Sequence, residues 1–210
     1  MLFRSVKQHD ELYIMSDEIY EHINFVGGHE SMAQFPDIKD RVITINGVSK
    51  GFAMTGWRGG IMAAPKWIAQ ACDKMQGQFT SGTCSITQKA MHAAMLLPAE
   101  STHYMRDAFL KRRNLVLELM KDIPGFKTNV PDGAFYVYPE VSALFGKSHN
   151  GFVINNATDL SMFLLDVAHV ALVPGAAFGD DKYIRFSYAT SEDKLTEALK
   201  RMKEAIEKLK

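Results

Sequence analysis

The stretch that most constrains this chain runs from Arg41 to Gly60. A β-branched run, Arg41-Val-Ile-Thr-Ile-Asn46, passes directly into Gly47-Val-Ser-Lys50-Gly-Phe-Ala-Met-Thr-Gly-Trp-Arg58-Gly-Gly60. Five of the chain's 15 glycines fall in that second string. β-branched residues suit a pleated, packed strand, whereas glycine disfavours a helix. The pattern predicts a strand over residues 41–46 that ends in a non-helical loop. Residues 59–64, stopped by Pro65, then predict a returning strand. One lysine sits mid-loop among small and hydroxylated residues, with Arg58 close behind it.

The rest of the first half follows an alternating rhythm. Residues 11–15 are short and apolar-rich and break into Ser16-Asp17-Glu18, which reads as a strand whose end presents polar side chains. Helical patterns follow at residues 66–75, at 85–97 (stopped by Pro98) and at 100–121. In the last, Met105, Phe109, Leu115, Val116, Leu119 and Met120 recur at helical intervals. Pro124-Gly125 then breaks the chain. Beyond it, strands are expected at residues 133–138, 171–173 and 183–188, with a helix at 158–168. Ser191 can N-cap a final helix with Glu192 and Asp193 in its first turn. Leu195, Leu199, Met202, Ile206 and Leu209 form that helix's apolar stripe. Strand–helix alternation followed by a smaller α+β unit predicts two domains, residues 1–98 and 99–210, joined by the long helix.

Composition narrows the function classes. Apolar residues make up 47% of the 210, enough for a sizeable core. Lys plus Arg and Asp plus Glu number 24 each, so no charge excess favours nucleic acid or an anionic membrane surface. No apolar run approaches a membrane span. The two cysteines, Cys72 and Cys84, lack CxxC spacing and read as reduced, partly buried thiols in a cytoplasmic setting. The histidines, His9, His22, His29, His92, His103, His149 and His169, show no metal-ligand spacing, so no metal is expected.

Lys50 is the first candidate for chemistry. A free lysine titrates near ~10.4 and is a poor nucleophile at neutral pH. Burial or a neighbouring cation lowers that value and exposes the lone pair. Arg58 supplies a permanent cation whose fork matches phosphate oxygens. Gly47, Ser49, Thr55 and Gly56 are small enough to let a phosphorylated ligand approach the backbone. The string therefore points to an imine-forming lysine beside a phosphate site, the alternative being a surface lysine in a flexible loop. Arg185, mid-strand in Tyr-Ile-Arg-Phe-Ser-Tyr188, is costly to bury unless paired, and on local evidence reads as a cation on an exposed strand face or as part of a structural salt bridge.

The string Gly47-Val-Ser-Lys50-Gly-Phe-Ala-Met-Thr-Gly-Trp-Arg58 resembles the lysine-attachment signature of class I aminotransferases, in their aspartate aminotransferase branch. Gly59 departs from the pattern, where the family usually has an aliphatic residue. Ser16-Asp17-Glu18-Ile19-Tyr20 and Val173-Pro174-Gly175-Ala-Ala-Phe178-Gly179, followed by Arg185, extend the resemblance. It implies an α/β architecture, the PLP-dependent transferase fold type I. The expected form is an incomplete large domain, a partial and mostly parallel sheet with helices, plus a small α+β C-terminal domain. It implies pyridoxal 5′-phosphate (PLP) as cofactor, with Lys50 as the catalytic lysine and Gly47, Ser49 and Arg58 also in the cofactor site. By the same resemblance, Asp17 pairs with the pyridine nitrogen and Tyr20 with the ring 3-oxygen. A carboxylate there keeps the ring able to accept electrons. Arg185 is implied to grip the substrate α-carboxylate as a bidentate fork.

The implied activity is ping-pong transamination between an L-amino acid, such as aspartate, and a 2-oxo acid, in a homodimer. Residues 76–85 resemble a loop that reaches the neighbouring subunit, or else a polar loop capping the next helix. Gly133-Ala-Phe-Tyr136 resembles a pocket-lining strand, with core packing of Phe135 and Tyr136 as the plainer reading. The resemblance covers nearly the whole chain but only the later half of the family's sequence. This gives the expectation of a truncated chain that binds PLP weakly and exposes a sheet edge prone to aggregation. An inactive or partner-binding remnant, or a PLP lyase or aromatic transaminase on the same fold, remain as alternatives.

Overall fold

A computed structural model describes residues 2–210. Their contacts divide into two compact units, one ending at Arg106 and the other beginning at Asp107. The division falls inside helix α4, His103–Met120.

The first unit opens with helix α1, Leu2–Gln8, which no sequence signal anticipated. Strand β1, Ile14–Asp17, pairs in parallel with β2, Val42–Gly47, in the register Ile14↔Val42 to Asp17↔Ile45. Strand β3, Gly60–Ala63, lies antiparallel on the other side of β2. The partial sheet is therefore mixed, with one parallel and one antiparallel pairing. The connection explains it. The β2–β3 link contains only a three-residue 3-10 turn, Thr55–Trp57, and a parallel return needs a longer crossover, usually helical. Gly47 makes the antiparallel return possible. A Cβ there would sit 3.0 Å from both the Gly59 carbonyl oxygen and Gly60 Cα.

Helices α2, Lys66–Phe79, and α3, Ser85–Met95, complete this unit. The first four residues of the expected 76–85 loop are thus helical, and Cys84 occupies the N-cap position of α3. The core is small: Val6, Ile14, Ile38 and Val42 form one cluster, and Val48, Met91 and Ala94 another. No residue of α2 is buried, and Trp67, Met75 and Phe79 stand exposed on it. Cys72 and Cys84 are both free and exposed, not partly buried as expected.

The second unit is built on a continuous core. Strands β4 (Tyr136–Val137), β7 (Val173–Pro174) and β8 (Ile184–Ser187) form an antiparallel sheet with β8 in the middle. A hairpin of β5, Ser148–His149, and β6, Phe152–Val153, stands apart. Helices α5, Ala157–Ala168, and α6, Glu192–Ile206, supply Leu160, Phe163, Leu164, Leu195, Leu199 and Met202 to the core beneath Ile184 and Phe186. β4 is far shorter than the expected strand at 133–138, because Ala134 takes a left-handed φ of 58°. That turn places the Ala134 carbonyl to accept from the buried Tyr188 hydroxyl at 3.2 Å. Ser191 holds the N-cap position of α6, but its side chain makes no capping hydrogen bond.

Candidate active site

The residues singled out around Lys50 gather at one end of the small sheet. Asp17 closes β1 and Gly47 closes β2, and the two strands run parallel. Ligands of α/β sheets bind beyond the carboxyl ends of parallel strands, where loops bring polar groups together. Lys50 lies just past the end of β2, half-buried, with Nζ 5.9 Å from the centroid of the Tyr20 ring. Tyr20 comes from the turn after β1, so the parallel pairing is what brings these two side chains into one place. Asp17 is exposed, and its Oδ1 accepts from the Ile19 amide at 3.2 Å, a local turn that fixes the carboxylate.

Arg58 sits after the 3-10 turn in a left-handed conformation, φ 55°. It donates to the Thr55 carbonyl at 2.9 Å and is exposed. Gly56, two residues earlier, has nothing within 4 Å of a notional Cβ. The missing side chain of Gly47 leaves room for β3. Ser49 is half-buried next to Lys50.

Behind β1 lies a network that the sequence did not disclose. Glu18 is buried, 6% exposed, and is the one buried charged residue among those described. One carboxylate oxygen accepts from the Ser16 hydroxyl at 3.0 Å, the Ser31 hydroxyl at 2.9 Å and the Met32 amide at 3.4 Å. The other lies 2.9 Å from His29 Nε2. Burial pushes the Glu18 carboxyl up, but hydrogen bonds from His29, Ser31 and Ser16 outweigh it and hold the group below its ordinary value. Ser16 and Glu18 face one side of the strand and Asp17 the other, as strand alternation dictates. The network therefore holds the backbone that presents Asp17. Its sequence signal was only that Glu18 is an alternating neighbour of Ser16.

On the Asn46 side, Asn46 Nδ2 donates to Glu21 at 2.8 Å and His22 packs edge-on to Phe52 at 5.3 Å. These residues border a groove of about 440 Å³ that also reaches Ile61, Met95 and Leu97. Asp17, Tyr20, Lys50 and Arg58 do not line it, so it is not where the lysine's chemistry would occur.

Arg185 belongs to the second unit. It lies on β8 between buried Ile184 and Phe186, and is itself half-buried. Its Cζ lies 4.5 Å from the Tyr136 ring centroid and 4.7 Å from that of Phe178. Among the described residues it forms no salt bridge.

A primary amine, a carboxylate, a phenol, a hydroxyl and an exposed guanidinium make a donor set of recognisable chemistry. The amine suits an aldehyde, the carboxylate a protonated ring nitrogen, the phenol a ring oxygen, and the guanidinium with the hydroxyl a phosphate. The residues present fit pyridoxal phosphate.

Similarity to known proteins identifies the family. The family model for aminotransferase class I and II matches residues 1–202. The chain belongs to this aminotransferase family. A bifunctional aspartate aminotransferase and glutamate/aspartate-prephenate aminotransferase of Petunia hybrida is 47% identical over 210 residues, covering 98% of this chain and 44% of that protein. The crystal structure of the aspartate aminotransferase from Rhizobium meliloti superposes with a TM-score of 0.95 at 39% identity, covering 100% of this chain and 53% of that one. An aromatic aminotransferase from Pyrococcus horikoshii OT3 gives 0.86 at 36% identity, covering 98% and 54%. The chain spans about half the length of the curated relatives it matches. These neighbours place its fold among the PLP-dependent transferases of fold type I. Among the described residues, no helix is long and apolar enough to cross a membrane.

Proposed function

We propose that this chain carries the lysine-bearing part of a PLP-dependent aminotransferase that moves an amino group from an L-amino acid, aspartate or similar, to a 2-oxo acid. The observation that carries the reading is the half-buried Lys50 amine beside the Tyr20 ring, just past two parallel strands of which one ends in Asp17. Lys50 would hold the cofactor's aldehyde carbon, Asp17 its ring nitrogen, Tyr20 its ring oxygen, and Arg58 with Ser49 its phosphate. When bound, the cofactor supplies an electron sink that makes the substrate's Cα–H acidic. The freed amine of Lys50 would take the proton from the substrate's Cα as general base and give it up as general acid at the cofactor's former aldehyde carbon. Asp17 keeps a negative charge at the ring nitrogen's position, and Arg185 orients the substrate through its α-carboxylate.

In this reading residues 1–98 belong to the cofactor-binding domain and 99–210 to the smaller one, a division supported by the two compact units. The active form is a homodimer, and its partners are small amino and oxo acids. The two free, exposed thiols fit a reducing, cytoplasmic setting. The likeness to an aromatic aminotransferase favours one second reading, transfer from aromatic amino acids on the same site.

The test is covalent trapping. The purified chain is mixed with pyridoxal phosphate, reduced with borohydride and mapped by peptide mass spectrometry. Label on Lys50 above that on any other lysine, lost in Lys50→Ala without redistribution, is expected. Label scattered over surface lysines, or an unchanged visible band in Lys50→Ala, overturns the assignment. Single-turnover reaction of the loaded chain with aspartate and with phenylalanine separates the two substrate readings.

A further inference from the structure

We propose that Tyr136 and Phe178 form an aromatic clamp that positions the Arg185 guanidinium for a planar carboxylate and against tetrahedral anions. The inference rests on the reading of Arg185 as the substrate carboxylate's ligand and extends it to the two residues that would set its geometry.

The placement follows from the sheet. Arg185 and Ser187 alternate with the buried Ile184 and Phe186, so they share the face of β8 turned away from the core. Tyr136 pairs with Ser187 across the antiparallel ladder, which makes it the diagonal neighbour of Arg185. Diagonal neighbours lie within reach of long side chains. On the other flank Arg185 pairs with Val173, and β7 runs directly into the 3-10 turn Gly175–Phe178. That turn brings the Phe178 ring to 4.7 Å from Cζ, against 4.5 Å for Tyr136. Two rings thus stand 4.5 and 4.7 Å from one Cζ, one carried by β4 and one by the turn after β7, the two strands that pair with β8 on either side.

The chemistry of such a flank is specific. Aromatic faces attract the cation through their quadrupoles without accepting its N–H hydrogen bonds in-plane. The edge of the fork stays available for a bidentate carboxylate. A carboxylate bound to the fork stays in the guanidinium plane. Sulfate or phosphate carries oxygens out of that plane, where rings approaching from both neighbouring strands would crowd them. The rings also restrict a flexible side chain before the ligand arrives, which reduces the ordering cost of binding. Phe178 is itself held edge-on by Tyr138 at 5.9 Å, and Tyr138 stacks on Tyr183 at 4.9 Å, so the clamp continues into a supported aromatic row.

The experiment follows the Arg185 Nε–Hε resonance of the full chain by NMR during titration with acetate and, separately, sulfate. A saturable acetate response with a much weaker sulfate response is expected. Phe178→Leu should weaken acetate binding about five-fold and narrow the acetate–sulfate preference, because one cation–π face is worth roughly a factor of five. Phe178 is 50% exposed, so this variant leaves the core intact. Tyr136→Leu should act likewise, while Tyr136→Phe, which keeps the ring, should match the wild type. Equal acetate affinity in wild type and Phe178→Leu overturns the clamp, as does an Arg185 resonance that ignores acetate in the wild type. The Lys50 trapping result is independent of both. Trapping on Lys50 without ring-dependent acetate binding removes the clamp and leaves transamination standing. The converse removes transamination and leaves the clamp.

Discussion

Replacing Glu18 tests whether the buried carboxylate fastens the strand end that presents Asp17. Glu18→Ala deletes the acceptor for two seryl hydroxyls, a backbone amide and His29. A hydrogen bond to a charged group contributes ~1.5–3 kcal/mol, and neutral donors left unpaired in a part-buried site cost somewhat less. His29 and the serines can partly rehydrate, so the sum is discounted to about 3 kcal/mol. With a urea m-value of ~1–2 kcal/mol/M for a unit this size, the midpoint falls by about 2 M. Glu18→Gln keeps the shape and one acceptor oxygen but cannot accept from His29, so about 1 kcal/mol is expected. Both tryptophans, Trp57 and Trp67, lie in the first unit, so tryptophan fluorescence reports its unfolding separately from the second.

The same pair of proteins yields a pH signature. The folded Glu18 carboxyl titrates below its ordinary 4.5, so it contributes stability that is fully present above that value. The contribution is lost as pH falls through the folded value. The stability gap between wild type and Glu18→Gln should therefore hold constant at neutral pH and close in acid. An unchanged urea midpoint in Glu18→Ala, or a gap that stays constant into acid, refutes the reasoning.

Two further outcomes follow from the second unit. Gly175→Ala should cost upward of ~3 kcal/mol, because a Cβ would collide with the Asp180 carbonyl and stand 2.5 Å from the Tyr183 carbonyl. Far-UV circular dichroism would show the second unit melting first while the tryptophan signal holds. Asn156→Ala should cost about 1 kcal/mol, since its side chain accepts from the Asp159 amide at 2.9 Å and caps α5. Hydrogen exchange at the first turn of α5 should accelerate ahead of that in α6.

What the sequence disclosed were features written in neighbouring residues. The β-branched run ending at Asn46 became β2, and all five stripe residues of the last helix proved buried. The residues of the Lys50 string could be named because strand, glycine loop and arginine stand consecutively. Features that depend on distant partners stayed hidden. His29 and Ser31 reach back to Glu18 only after the intervening loop folds, and Phe178 reaches Arg185 only because β7 and β8 pair. Local rules also lost where tertiary demands were stronger. Ala134 adopts a left-handed φ that alanine disfavours, its carbonyl receives the Tyr188 hydroxyl, and β4 starts only at Tyr136.

Gly59 shows the limit most clearly. In the sequence it is a departure, a glycine where the resembled family has an aliphatic side chain, and glycine alone suggests a weakened strand. In the structure Gly59 is buried, and a Cβ there would overlap Met91 Sδ and lie 2.8 Å from Thr87 Cγ2. Helix α3 fills the space that a side chain would occupy. Thr87 adds a hydrogen bond to the Trp57 carbonyl at 2.9 Å, which fixes the loop carrying Arg58 from the helix side. The missing side chain and the close helix are two halves of one packing arrangement, some thirty residues apart along the chain. Periodicity cannot register such an exchange, because the apolar volume is conserved in space while the sequence shows it only as a loss at one position and an ordinary methionine at another.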